Sequence, residues 1–493
     1  MGRLDEIKRS RSRERRHFGS ADVPEQTRDR EAEMGDILDR VIEIVGKQYV
    51  LEGDAIPDDH THDECLTVEP VVPLAVVLPE TTKDVSEILE ACNEQHVTVT
   101  ARGSATGLSG GCTPTADGIV ISFERMDKIL EIDVDNHVAV VQPGVTLGQL
   151  NEELSHHGFI YPVFPGEASA SLGGNVGTNA GGMRAVKYGV TRHHILGLVA
   201  VLASGEVIRT GGKFVKSSTG YDLTQLIVGS EGTLALVTEI TLKLAPILEH
   251  RSTLLAPFRT LVEVSQAVPK ILSSAVAPLM LEYIDQITMA GITAAAGLDL
   301  GIAQQIREEA AAYLVVVLEG SRSERVDEDA ENTATLLDGL GAIDVFILPS
   351  GAGEQLIKAR ERAFFVAKAA GANDIVDVVI PRAAIPEYLT RVGELANDHE
   401  SLVTGCGHAG DGNVHLTVFQ PDEKKRDALV HDLLKAGIDA GGTISGEHGL
   451  GRAKAGYFLD LGDPLIYALM QRIKQAFDPN GILGPGNLPE IRS

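Results

Sequence analysis

Apolar positions recur at helical spacing from about Gly35 to Val50, in "DILDRVIEIVG", and predict a helix there. Residues 74–78, "LAVVL", make an apolar run of strand length. "TTKDVSEILEACNEQ" then opens on cap-type threonines and carries one apolar stripe, the mark of an amphipathic helix. "VTVTARG" reads as a second strand and runs into a glycine-rich loop, "GSATGLSGGCTP"; apolar or alternating stretches at 119–123, 129–134 and 138–142 predict further short strands. A second glycine-rich stretch, "PGEASASLGGNVGTNAGG" (165–182), also reads as a loop. Beyond it, "ILGLVAVLASGEVIRTGG" predicts a hairpin turning on Ser-Gly, and "LIVGSEGTLALVTEITLKL" ends as a period-two strand.

The character changes around 246–258, where "APILEHRSTLLAPF" reads as a connection, and helices alternate with strands to about residue 400. "YLVVVLEG" (313–320) is a buried-strand pattern, and "GEQLIKARERAFFVAKAAG" reads as one helix bounded by glycines. A chain of 493 residues is too long for one core, so two or more domains are expected, with a cut near 247. Residues 1–33 carry too few apolar positions to bury a face and are expected to be a disordered charged tail, basic in its first half.

A net charge of −27 argues against nucleic acid as a main partner and requires local cations at any anion site. Cys65, Cys92, Cys112 and Cys406 form no CxxC pair, which suits free thiols in a reducing compartment. No apolar run reaches the roughly 18 residues of a transmembrane helix, and the polar N-terminus lacks a secretory h-region. These features point to a cytoplasmic protein, or one peripheral to the inner face of a membrane.

Neither glycine-rich loop ends in the Lys-Ser/Thr of a P-loop, and the strand–GxGxxG–helix context of a Rossmann fingerprint is missing. Runs of small residues can nevertheless present backbone N–H groups around a pyrophosphate without charge, or merely pack closely. In "GCGHAGDGNVHL" (405–416) two histidines flank an Asp-Gly turn, which fits a metal site, a phosphate cradle or a plain hairpin. A two-residue turn at Asp411-Gly412 would pair Gly410 with Asn413 and His408 with His415, close enough for both imidazoles to hold one ion. "GEHGLG" offers Glu447 as a third ligand; two histidines and a carboxylate suit Zn²⁺ or another divalent metal such as Mn²⁺.

Seven segments in order, "VTARGSATGLSGG", "GGNVGTNAGGMRAVKYGVTR", "LASGEVIRTGG", "STGYDLTQLIVGSEGTLALVTEITLKL", "GHAGDGNVH", "GEHGLGRAK" and "FDPNGILGPG", closely resemble the FAD-linked 2-hydroxyacid dehydrogenases of the vanillyl-alcohol oxidase type. That family includes the glycolate oxidase flavoprotein subunit, D-lactate dehydrogenase and D-2-hydroxyglutarate dehydrogenase. The resemblance spans about 40–490 and implies an α+β fold: a two-subdomain FAD-binding domain (34–247), an α+β substrate or cap domain (248–480), and a C-terminal segment (481–493) returning to the FAD domain. It implies FAD against Arg102, Gly103, Ser104, Thr106, Gly107 and Leu108 of the first loop and Gly173, Gly174, Thr178, Asn179 and Gly182 of the second. Glu231, Gly232 and the segment to Val237 would reach the adenosine side or flank the flavin ring. The first loop has no histidine for covalent attachment, so dissociable FAD is expected, with Cys112 a remote alternative anchor.

The resemblance further implies a metal on His408, His415 and Glu447, with His448 as general base for the hydroxyl proton of a D-2-hydroxy acid. Arg360 stands where the family carries a substrate-binding arginine; Arg382 and Lys454 are second choices. Phe364 and Ile375 occupy positions where the D-2-hydroxyglutarate branch has a threonine and a lysine, which argues against a dicarboxylic substrate and for a shorter or more apolar one. The C-terminal "LGPGN" places Gly484 and Asn487 where relatives read LNPGK. The electrons would pass to a quinone, a cytochrome, an electron-transfer flavoprotein or oxygen, and a homodimer is among the assemblies the reading allows. Two other readings are a flavin transferase like alkyl-dihydroxyacetonephosphate synthase, in which a histidine is expected in place of Glu447, and a non-catalytic flavin-binding subunit. A flavin-free metal hydrolase is disfavoured by the long FAD-like half.

Overall fold

The computed structural model describes residues 36–274 and 276–488; the charged tail lies outside them. The amphipathic segment folds as the helix Thr82–Glu94, begun by a capping box in which Thr81 Oγ1 accepts the Asp84 N–H and the Asp84 carboxylate accepts that of Thr81. Its stripe Val85, Ile88, Leu89 and Cys92 is fully buried. It connects Ala75–Val77 to Val99–Arg102 in a four-stranded sheet, ordered Val50–Leu51, Ala75–Val77, Ile119–Ser122, Val99–Arg102. Only the outermost two-residue strand runs antiparallel.

A five-stranded antiparallel sheet follows, ordered Ile129–Asp133, Val138–Val141, Leu236–Lys243, Ile195–Val201, Val207–Gly211. The Ser-Gly hairpin is its outer pair, closing at Val201 opposite Val207. The period-two strand Leu236–Lys243 alternates buried and half-buried residues. From His250 onward all strands join one seven-stranded antiparallel sheet, ordered Phe346–Leu348, His250–Phe258, Ala312–Gly320, Met280–Asp285, Leu402–His408, Asn413–Phe419, Asp374–Val379. At the C-terminal end the chain returns to the first sheet, where Val99 donates its N–H to Ile482 and accepts that of Gly484.

Two local expectations give way. The second glycine-rich stretch is not all loop: Leu172–Thr178 is helical despite three glycines. Ser171 caps it through the Gly174 N–H, and a Cβ on Gly173 would sit 2.6 Å from Pro143, so close packing selects glycine against its poor helix propensity. The single helix read from "GEQLIKARERAFFVAKAAG" is broken at Arg362 into Ser350–Glu361 and Ala363–Ala369.

Leu314, fully buried in Ala312–Gly320, belongs to the largest apolar core, where helices cover one face of the seven-stranded sheet. Leu314→Ala is expected to cost about 3 kcal/mol of stability by transfer and cavity terms. Equilibrium unfolding checks this; a loss under about 1 kcal/mol would show that this strand does not anchor the core.

Candidate functional site

Strand Leu402–His408 and strand Asn413–Phe419 form the hairpin that carries both candidate ligand histidines. Its register differs from the two-residue turn expected at Asp411-Gly412: Cys406, not His408, lies opposite His415. The tip opens because its backbone is bonded elsewhere. Gly410 donates to Leu281 O, and Gly412, at φ +93°, accepts from the Ile380 N–H. The partner shifts by two residues, and side chains alternate with period two, so both imidazoles still emerge on one face.

On that face His408 Nε2 and His415 Nε2 lie 3.2 Å apart, and each lies 3.2 Å from Glu447 Oε1. Donors at 2.0–2.1 Å from a tetrahedral ion stand about 3.3 Å apart, so this triangle has the dimensions to hold one. Behind it, His408 Nδ1 lies 2.8 Å from Glu282 Oε1, and His415 Nδ1 lies 3.6 Å from Asp377 Oδ1. The Glu282 contact fixes the His408 tautomer that leaves Nε2 free for a metal, whereas His415 Nδ1 has no hydrogen-bond partner. Burial opposes a charge on His408, but Glu282 and Glu447 overcome it and raise its pKa well above the usual imidazole range. Burial likewise pushes against ionised Glu447, and His408 and His415 override it, holding its pKa low.

Glu447 and His448 ride on an irregular loop held by one buried carboxylate. Asp377 Oδ2 accepts the N–H groups of Gly446, Glu447 and His448 at 2.9–3.0 Å and the Ser445 hydroxyl at 3.1 Å. The His448 ring stacks on His415 at 5.1 Å, its Nδ1 3.8 Å from Asp377 and without a hydrogen-bond partner. Burial lowers its pKa to about 4, with Lys454 and His415 adding and Asp377 opposing, so the imidazole is neutral and able to accept a proton. Glu282 and Asp377 escape a reading of the sequence alone; the one available signal is an acid in the middle of an apolar strand, "MLEYID" and "IVDVVI".

Arg360 is buried, its guanidinium 3.1 Å from Glu282 and its Nε unpartnered, on the wall of the cavity that holds the histidines. Lys454 is not on that wall: its Nζ donates to Ser445 and lies 3.6 Å from Asp377. Arg382 stands exposed on the turn Arg382–Ala384, away from the cavity.

The glycine-rich segments line a narrow channel between the first two sheets. Gly103, Gly107, Gly173, Gly174, Thr178, Glu231, Gly232 and Val237 face it, and Ser104, Thr106 and Leu108 face its continuation toward Glu447 and His448. A Cβ on Gly177 would meet nothing nearer than 4.0 Å and would intrude on the channel, a wall suited to a large flat ligand. Three expected cofactor residues do not face it. The Arg102 side chain turns back to Asp59 O and Glu124, at 3.0 Å each. Asn179 takes a left-handed helix cap and accepts the Arg192 N–H, and Gly182 packs against Phe164 O. Glu231 lines the channel, but its carboxylate accepts the N–H groups of Leu450 (2.7 Å) and Gly451 (2.8 Å), tying the channel to the His448 loop. Asp63, not singled out by the sequence, lines the channel and accepts the N–H groups of Cys65 and Gly110.

Residues 73–211 match the family model "FAD binding domain", and residues 247–488 match "FAD linked oxidases, C-terminal domain". An uncharacterised FAD-linked oxidoreductase of Mycobacterium tuberculosis is 53% identical over 92% of this chain and 99% of its own length. A D-lactate dehydrogenase of Anaerostipes hadrus is 36% identical, over 92% of this chain and 97% of that protein. The solved 4-ethylphenol oxidase of Gulosibacter chungangensis aligns with a TM-score of 0.75 at 20% identity, over 93% of this chain and 98% of that one, and shares the fold. A channel walled by glycines, leading to a cluster of histidines and carboxylates, is thus met by agreement of sequence and fold along nearly the whole chain: it belongs to the FAD-linked oxidoreductases of the vanillyl-alcohol oxidase type.

Proposed function

We propose that this chain oxidises a D-2-hydroxy acid to the 2-oxo acid, with residues 34–247 holding FAD and 248–480 the substrate. The observation that carries the reading is the buried His448 stacked on His415 beside the His408–His415–Glu447 triangle, where the glycine-walled channel meets the second cavity. FAD, held without a covalent bond by Gly103 to Leu108, Gly173, Gly174 and Thr178, supplies the hydride acceptor. Burial pushes the Cys112 thiol up to about 12, leaving it unreactive toward the cofactor. His408, His415 and Glu447 would hold a divalent ion, Zn²⁺ or Mn²⁺, which would supply Lewis acidity toward the substrate hydroxyl.

Arg360 receives the substrate carboxylate; its planar fork suits that group, and its buried Nε is free to donate. His448 takes the hydroxyl proton, and Asp377 holds the loop so that its ring stays stacked on His415. Among the described residues no helix is long and apolar enough to cross a membrane. A quinone, a cytochrome, an electron-transfer flavoprotein or oxygen would serve as electron acceptor.

Anaerobic addition of D-lactate or a longer D-2-hydroxy acid to the yellow protein is expected to bleach the flavin absorption. His448→Ala should retain its flavin and reduce it at least about a hundredfold more slowly. If no 2-hydroxy acid bleaches the flavin in the presence of Zn²⁺ or Mn²⁺, the reading is wrong. His408→Ala is expected to lose bound metal, measured by elemental analysis after gel filtration; metal content equal to wild type would refute the ligand assignment.

Glu231 links the cofactor side to the catalytic loop, and burial raises its pKa to about 7. A raised folded-state pKa makes its contribution to stability full below the unfolded value of about 4.3 and lost as pH rises through about 7. The melting temperature of Glu231→Gln, compared with wild type, should therefore improve between pH 5 and pH 8. A difference independent of pH would show that Glu231 titrates normally.

A further inference from the structure

The face that presents His408 and His415 continues outward as an apolar track. Alternate strand residues share a face, and Cys406, Thr404 and Leu402 line the same cavity as Thr417 and Phe419 of the partner strand. From His408 to Leu402 the track runs about 20 Å at the rise of a strand. Across from it stand Ile287, Gly291 and Ile292 of the helix Gln286–Ala296, and Phe364, Val366 and Ala367 of the helix Ala363–Ala369.

The cavity has a volume of about 450 Å³ and opens to solvent. Its charged side chains are those of the site already described plus Glu361, which burial biases toward the neutral acid. Ile287 and Leu402 remain 55% and 48% exposed, so apolar surface extends to solvent. At Gly291 a Cβ would already touch Val366, at 3.5 Å, so a larger side chain there would fill the passage between the two helices.

Lactate, with its single methyl group, would leave nearly all of this surface uncovered. We propose that the substrate is a 2-hydroxy acid with an extended apolar side chain, whose carboxylate meets Arg360 and whose tail lies along the track past Thr404 and Thr417 to Leu402 and Phe419. This rests on the D-2-hydroxy acid reading and adds the side-chain class. The two departures in sequence, Phe364 and Ile375, both stand on the cavity wall, where they remove the polar groups a second carboxylate would need.

The test is a series from D-lactate through D-2-hydroxybutyrate and D-2-hydroxyhexanoate to D-2-hydroxyoctanoate, followed by anaerobic flavin reduction. Alongside it, calorimetric binding of octanoate and of acetate to the FAD-loaded protein needs no turnover. Each added methylene should raise kcat/KM about fourfold, and octanoate should bind much more tightly than acetate. Gly291→Leu, which suits a helix better than glycine, should cut the preference for D-2-hydroxyoctanoate over D-lactate by at least about tenfold. Lactate as the best substrate, with octanoate binding no better than acetate, would overturn the apolar-tail proposal and leave the hydroxy-acid reading standing. Tight octanoate binding without flavin reduction by any 2-hydroxy acid would do the reverse. An unchanged preference in Gly291→Leu would overturn the assigned path of the tail.

Discussion

One carboxylate holds the site together. Asp377 is fully buried, and a single oxygen of it accepts three successive backbone N–H groups and the Ser445 hydroxyl. Burial works against its charge, but His448, Lys454, His415 and those N–H donors hold its pKa well below the usual range. A loop of irregular backbone cannot fix its own side chains. Anchored this way, it brings Glu447 to the two hairpin histidines and sets His448 over His415. A residue without a side-chain acceptor at 377, such as alanine, would leave several buried donors unpaired, each costing about 1–3 kcal/mol.

Around that anchor, opposite charges are buried together and mutual contact offsets their desolvation. Glu282, Asp377 and Glu447 are matched by Arg360, Lys454 and the imidazoles. The same surroundings push neighbouring histidines in opposite directions. His408 touches two carboxylates and is drawn toward the charged form, whereas His448 has one carboxylate at 3.8 Å and Lys454 opposing it, so burial prevails. Separation of this kind lets adjacent groups of one type take different roles. It also places local cations inside a chain of net charge −27.

Much of the fold was legible where local pattern and tertiary demand agree. The stripe of Thr82–Glu94, the Ser-Gly hairpin and the alternation of Leu236–Lys243 appear where periodicity puts them, because each needs one buried face. The reading failed where a distant contact decides. The helix at Leu172–Thr178 forms against the propensity of its glycines, and at Gly173 it is Pro143, distant in sequence, that leaves no room for a side chain. Arg102 looked like a cofactor ligand, yet Asp59 and Glu124 claim its guanidinium from elsewhere in the chain. Glu231 does line the expected channel, but its bonds to Leu450 and Gly451, 219 and 220 residues away, could not be read from the sequence.

The sequence by itself determined the types of group and their local order: two histidines on one hairpin face, Glu447 next to His448, and small residues along a channel. Those follow from spacing, since alternation in a strand and adjacency in a loop are local properties. Only the tertiary structure decided that the His408, His415 and Glu447 side-chain atoms close to 3.2 Å, that Glu282 and Asp377 stand behind them, that Arg382 and Lys454 do not reach the cavity wall, and that this wall is apolar for the length of a strand. Each of those depends on which buried charge finds which partner across the sheet, a choice made by desolvation and packing and not by any neighbour in the chain.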